Sequence, residues 1–186
     1  MSAEGFAVAD TCFLIDWASW RRRDVIFRLF RTVFVPEMVL REVRSEGTVE
    51  WIADHLATGE LSLLTETPDV VSAAWELVER SRRLPIRGVD LPEAVCLAVG
   101  RARGYTVLTE NRGALMLADL LPELEGVVVW RSLELIAAAV RRNVLSGDPR
   151  EIFAEYELDT GHRFPRRDLE VVLRELGGEA REVEEA

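Results

Sequence analysis

The chain contains no lysine and no glutamine, so all 23 of its basic residues are arginine, and only Asn111 and Asn143 carry a side-chain amide. The lack of lysine removes the phosphoryl chemistry of receiver-type signalling domains, which also place an aspartate at a strand end. No GxGxxG follows the first apolar run, which disfavours dinucleotide binding. Cys12 and Cys96 are the only cysteines. They are too few for a disulfide scaffold and neither sits in a CxxC. Both stand among apolar neighbours and read as buried, inert thiols. The only histidines, His55 and His162, lie over a hundred residues apart, which disfavours a zinc centre or a histidine-based nucleophilic triad. No run of about 18 apolar residues is present, and "MSAEGF" has neither the basic nor the apolar part of a signal peptide. A cytoplasmic protein with no membrane partner is expected. Scarce amides beside abundant ionic residues fit a thermophile. A GC-rich genome gives the same arginine bias.

What is present is ample material for a core. The 186 residues are 48% hydrophobic and 30% charged, with a net charge of −10. Such a charge argues against wrapping nucleic acid with the whole surface, while leaving room for a local basic patch. Short runs rich in β-branched residues alternate with longer segments of helical period. Strands are expected at 7–10, 33–35, 61–64, 106–108 and 127–130. Helices are expected in "TCFLIDWASW", "PEMVLREVRS", "PDVVSAAWELVERSRR", "LPEAVCLAVGRARG" and "RSLELIAAAVRRNVL". Pro36 and Pro92 suit first helical turns, and Gly104 suits a helix end.

This order predicts an α/β fold of three layers, α/β/α, with a mostly parallel five-stranded sheet. Residues 1–145 form that unit. Residues 146–186 read as a helical C-terminal extension, with two short helices after the turn "SGDPR" and a frayed acidic tail, "EAREVEEA". The extension either docks on the main unit or offers a surface to a partner.

Parallel sheets bind ligands at the carboxyl ends of their strands. Asp10 stands at such an end in "AVADTCFLID", and Glu110 and Asn111 stand at another, just past "TVLT". Glu42 lies in the helix after the second strand. Asp90 and Glu93 open the helix before the fourth strand, three residues apart and therefore on one face. Each alone has a plain structural explanation, as a helix-end or surface carboxylate.

Taken together, "VADTCFLID", "FVPEMVLREV", "DLPEAVCLAVGRARG" and "YTVLTENRGAL" resemble the PIN-domain family of metal-dependent nucleases over about residues 5–130. The resemblance implies a metal-dependent endoribonuclease, either a VapC-type toxin or an RNA-processing enzyme. The implied catalytic set is Asp10, Glu42, Glu93, Glu110 and Asn111. Asp10, Glu42 and Glu93, with Asp90 as a further candidate, would hold Mg²⁺ or Mn²⁺, and Thr11 and Thr109 would orient carboxylates or water. The implied partners are single-stranded RNA, a cognate antitoxin and a second copy in a homodimer. Two departures stand out. Asn111 occupies a place where the family most often has aspartate, and Glu93 is one methylene longer than the commoner residue. They favour an alternative, a catalytically weak or inactive PIN-like module that binds RNA or a protein.

The chemistry explains the need for clustered acids. Hard cations take oxygen ligands, and a bound metal polarises phosphate and activates water. Substrate phosphates call for arginine, and Arg21, Arg22, Arg87 and Arg112 are the candidates for that role, with Trp17 and Trp20 near the first pair. Ion pairing of Arg21–Arg23 with surface carboxylates is the competing reading.

Overall fold

The computed structural model describes residues 5–184, with residues 178–184 described through their backbone alone. Strand β1 is Phe6–Ala9, β2 Thr32–Pro36, β3 Leu61–Leu64, β4 Thr106–Leu108 and β5 Val129–Trp130. The helices are α1 Thr11–Ala18, α2 Ile26–Leu29, α3 Glu37–Glu42, α4 Glu46–Thr58, α5 Pro68–Ser81, α6 Leu91–Arg103, α7 Arg112–Leu120, α8 Ser132–Arg141, α9 Pro149–Thr160 and α10 Arg166–Glu184. All strand pairs are parallel, in the order β3-β2-β1-β4-β5. The expected three-layer α/β/α fold is the one observed.

The central strand explains its own sequence. Ala7, Val8 and Ala9 have no solvent exposure, because both faces of a parallel sheet are covered, so β1 reads as an unbroken apolar run. Helix α6 packs on β1 and β4 and is buried from Pro92 to Gly100. Gly100 allows that approach, since a Cβ there would overlap the Val107 side chain.

From β1 the chain steps outward through β2 to β3, then returns to the other side of β1 for β4 and β5. The direction of winding therefore switches between β1 and β4. A switch of this kind leaves a crevice at the carboxyl ends of the two strands. Asp10 follows one of them and Thr109–Asn111 follow the other.

Several boundaries differ from the expectation. β1 ends at Ala9, and Asp10 is the N-cap of α1. β5 is cut to two residues, Val129–Trp130, and the Val127 N–H is held instead by the Leu124 carbonyl of the preceding turn. Three helices lie outside the expected set, the single turn α2 and the longer α4 and α7. α4 is started by the Ser45 hydroxyl, which accepts from the Thr48 N–H, and stopped by Gly59 at φ 80°. α7 follows Asn111 at once. Cys96 is buried as expected, but Cys12 is exposed. It lies on the outer side of α1, whose Phe13, Leu14 and Trp17 face the core. Partial burial of the thiol and then the nearby carboxylates push Cys12 up to about 11.

The C-terminal extension is continuous with the core. Ile152, Phe153, Tyr156, Phe164, Leu169 and Leu176 belong to the same buried cluster as Trp17, Trp20 and Ile136. The Tyr156 ring lies 5.8 Å from Trp17 and 5.3 Å from Trp20. α10 runs to Glu184, through most of the stretch expected to fray. Residues 185–186 lie outside the described residues. Among the described residues no helix is long and apolar enough to cross a membrane.

Candidate active site

Asp10 is held from three sides. Its backbone N–H donates to the Leu108 carbonyl at 3.0 Å, which ties the end of β1 to β4. Its Oδ1 accepts the Phe13 N–H at 2.8 Å, capping α1, and its Oδ2 accepts the Thr109 hydroxyl. The residue is 1% exposed, and among the described residues no cationic side chain bonds to it. Burial raises its carboxyl to about 7. The Thr109 and Phe13 bonds oppose that rise, while the charges of Glu93 and Glu110 add to it.

Glu93 sits in the first turn of α6 in a reciprocal cap with Asp90. The Glu93 N–H donates to Asp90 Oδ1 and the Asp90 N–H donates to Glu93 Oε2, both at 3.0 Å. Its other oxygen, Oε1, accepts from the Asn111 amide. Burial raises the Glu93 carboxyl; the Asn111 and Asp90 bonds lower it, the Asp90 charge raises it and Arg87 lowers it. Asp90 thus acts as the helix cap that holds Glu93 in place.

Asn111 connects the two acids. Its N–H donates to the Thr109 hydroxyl at 3.0 Å, and that hydroxyl donates to Asp10. Its Oδ1 accepts the Gly113 N–H at 2.7 Å, capping α7. The amide therefore turns its donor, and not its carbonyl oxygen, to Glu93. Gly113 is required here, since a Cβ would overlap the Arg87 carbonyl. Glu42, at the end of α3, accepts the Thr11 hydroxyl at 2.9 Å, one residue from Asp10.

Glu110 faces the other way. Its Oε1 accepts both the N–H of Ser132, at 2.8 Å, and its hydroxyl, and the Ser132 hydroxyl lies 2.6 Å from that of Tyr156. Its Oε2 lies 3.5 Å from His162 Nε2, while His162 Nδ1 lies 3.2 Å from Asp16. Burial raises the Glu110 carboxyl, with the Ser132 bonds and His162 opposing. The bond to Asp16 raises His162 above its ordinary value, and the charge of Glu110 adds to this. Glu110 thus joins the extension to the strand ends and does not complete the Asp10 pocket. Ser132, Tyr156, Asp16 and His162 lie outside the expected site residues. His162 and Asp16 are 146 residues apart, and only the fold brings them together.

The expected basic edge is divided. Arg21 grips Asp159 through Nε at 2.8 Å and Nη2 at 2.6 Å. Arg22 bonds Glu155 at 2.9 Å. Both partners lie on α9, so these two arginines fasten the extension to the main unit. Arg87 and Arg112 remain exposed beside the acids. Arg112 comes within 4.0 Å of Asp168 on α10.

Among the described residues no three His, Cys, Asp or Glu side chains form a ready cluster for a metal ion. The donor chemistry nevertheless suits a hard divalent cation. All donors are oxygens, Asp10 is bonded only to neutral groups, and a carboxylate oxygen that accepts one hydrogen bond retains a second lone pair. Asp10, Glu93 and Glu42 are the residues that would hold such an ion. No protein-family model matches the chain, and no curated protein matches it.

Proposed function

We propose that the chain is a metal-dependent endoribonuclease of PIN type that hydrolyses phosphodiester bonds in single-stranded RNA. The observation that carries this reading is Asp10, a buried carboxylate at the sheet's switch point, bonded only to neutral donors and repelled by Glu93 and Glu110. A buried carboxylate without a counter-charge is costly, and a cation is the natural relief. Mg²⁺ or Mn²⁺, when bound, supplies a Lewis acid for the phosphate and lowers the pKa of water. The protein's own part is positioning. Thr109 fixes the Asp10 carboxylate, Thr11 fixes Glu42, and Asp90 with Asn111 fixes Glu93.

The test is cleavage of single-stranded RNA with Mg²⁺ or Mn²⁺, compared with Asp10→Asn. Loss of metal-dependent cleavage in the variant supports the reading, and equal cleavage by both proteins refutes it.

One observation favours a second reading, an RNA-binding module with weak or no catalysis. Asn111 satisfies Glu93 with an amide where a second charged ligand would otherwise stand. On that reading RNA binds without being cleaved, and metal changes neither binding nor stability.

A further inference from the structure

The segment "HRFPRRD", residues 162–168, carries a density of positive charge unusual in a chain of net charge −10. It joins α9 to α10 and is anchored beside the acidic pocket at both ends. His162 reaches Glu110, and Asp168 reaches Arg131 at 2.9 Å and Arg112 at 4.0 Å.

The ion pairs here do not balance. Arg163 and Arg166, 67% and 65% exposed, share the single buried carboxylate of Glu157. Arg112 and Arg131 share Asp168, and Arg131 also takes Glu134. Arg167 is exposed and has no carboxylate partner among the described residues. Glu170, the next acid along α10, leans to Arg174 at 3.9 Å. Five arginines thus face three carboxylates. The contrast with Arg21 and Arg22, each matched to an acid on α9, is direct.

The placement is also unfavourable for the helix itself. Arg166 and Arg167 open α10, where the positive end of the helix dipole disfavours cations. A bound anion would reverse that penalty. Arg87 and Arg112 extend the positive charge past Glu93 and Asn111, because the Arg87 carbonyl packs against Gly113. Asp168, shared by Arg112 and Arg131, joins the charge of residues 163–167 to the arginines next to Asn111 as one basic surface.

The geometry points to this basic surface, formed by Arg163, Arg166 and Arg167 of the extension with Arg87 and Arg112, as the one that holds the phosphate backbone of single-stranded RNA. The assignment deepens the nuclease reading and rests on it for the choice of RNA. It moves substrate binding from the Arg21–Arg23 run to the C-terminal extension.

The test uses fluorescence anisotropy with a fluorescein-labelled oligouridine. The protein is the full chain carrying Asp10→Asn, so that no cleavage intervenes. Arg167→Glu, which breaks no ion pair, is expected to weaken binding by about tenfold. The triple variant R163Q/R166Q/R167Q is expected to weaken it further. It should also flatten the dependence of log Kd on log salt by about 0.7 for each phosphate that the protein ceases to neutralise. Arg101→Gln, at the opposite end of α6, controls for general loss of charge and should leave both quantities unchanged. Circular dichroism checks folding, and if the triple variant is unfolded Arg167→Glu decides. Unchanged affinity and salt slope, or an equal loss in Arg101→Gln, overturns the assignment. Binding that depends on these arginines, without metal-dependent cleavage by the parent chain, sustains the surface and defeats the nuclease reading. Metal-dependent cleavage with an unchanged KM, when the same three substitutions are placed in the parent chain with Asp10 intact, does the reverse.

Discussion

Asn111 and Glu93 are joined by a hydrogen bond in which the amide donates to the carboxylate. A second carboxylate at position 111 would face Glu93 as a like charge. The amide quiets that repulsion without a metal, while its oxygen still caps α7. On the nuclease reading, this bond is where the pocket's need for a cation would be tuned.

Asn111→Asp tests it. Aspartate caps a helix about as well as asparagine, so α7 should persist while the Glu93 bond becomes a repulsion. The metal-free variant is expected to lose about 1–3 kcal/mol at pH 8. Mn²⁺ should raise its melting temperature more than it raises that of the parent. Thermal melts in EDTA and in Mn²⁺ measure both, and a variant as stable as the parent in EDTA would show that the bond contributes nothing.

Asp10 gives the metal-free protein a pH dependence of definite sign. Its folded value, about 7, lies above its ordinary value of 3.8. Between those values the folded chain holds a proton that the unfolded chain releases, so this group's contribution falls as pH rises and levels off above about 7. Asp10→Asn removes that fall. It should stabilise the metal-free chain by about 1–3 kcal/mol at pH 8 and by much less at pH 5. Urea unfolding at the two pH values decides; a variant less stable than the parent at pH 8 contradicts the assignment.

His162 behaves as a cationic clasp between Asp16 and Glu110. Its folded value is raised, so its contribution is fully present below its ordinary value of 6.5 and is lost as pH climbs through the folded value. His162→Gln should cost about 1 kcal/mol at pH 6 and little at pH 9. An equal cost at both pH values would mean that packing, and not charge, is what the histidine supplies.

Removal of residues 146–186 should abolish cooperative folding. Ile152, Phe153, Tyr156 and Phe164 are at most 3% exposed, and each buried large apolar side chain is worth about 1.5–3 kcal/mol. Their loss also bares Trp17 and Trp20. Tryptophan emission should shift to the red and near-UV circular dichroism should collapse. A truncated chain that melts sharply would show that residues 1–145 stand alone.

The sheet is legible in the sequence because a parallel strand covered on both faces is an apolar run with charged or glycine punctuation, and "AVAD" and "TVLT" are such runs. The acids are legible because their places at strand and helix ends follow from that sheet. α4 is hidden by Gly47 and by polar residues within its period. α7 is hidden because it starts immediately after strand-end residues that read as ligands. Directions are harder to read than places. Nothing local fixes whether Glu110 turns to Asp10 or to Ser132, since its partners lie 22 and more residues away. Arg21 and Arg22 read as open because the acids that hold them come 138 and 133 residues later.

Those separations set the order in which the molecule can be built. Asp10 meets Thr109 across 99 residues, Trp20 meets Glu155 across 135, and His162 meets Asp16 across 146. Pairs so distant along the chain close slowly, after local helices have formed. During synthesis the first strand emerges long before its neighbour β4 exists, and Trp20 long before its partner on α9. The pocket therefore has no walls until the chain has emerged as far as Thr109 and Asn111, with Thr109 99 residues beyond the carboxylate it holds.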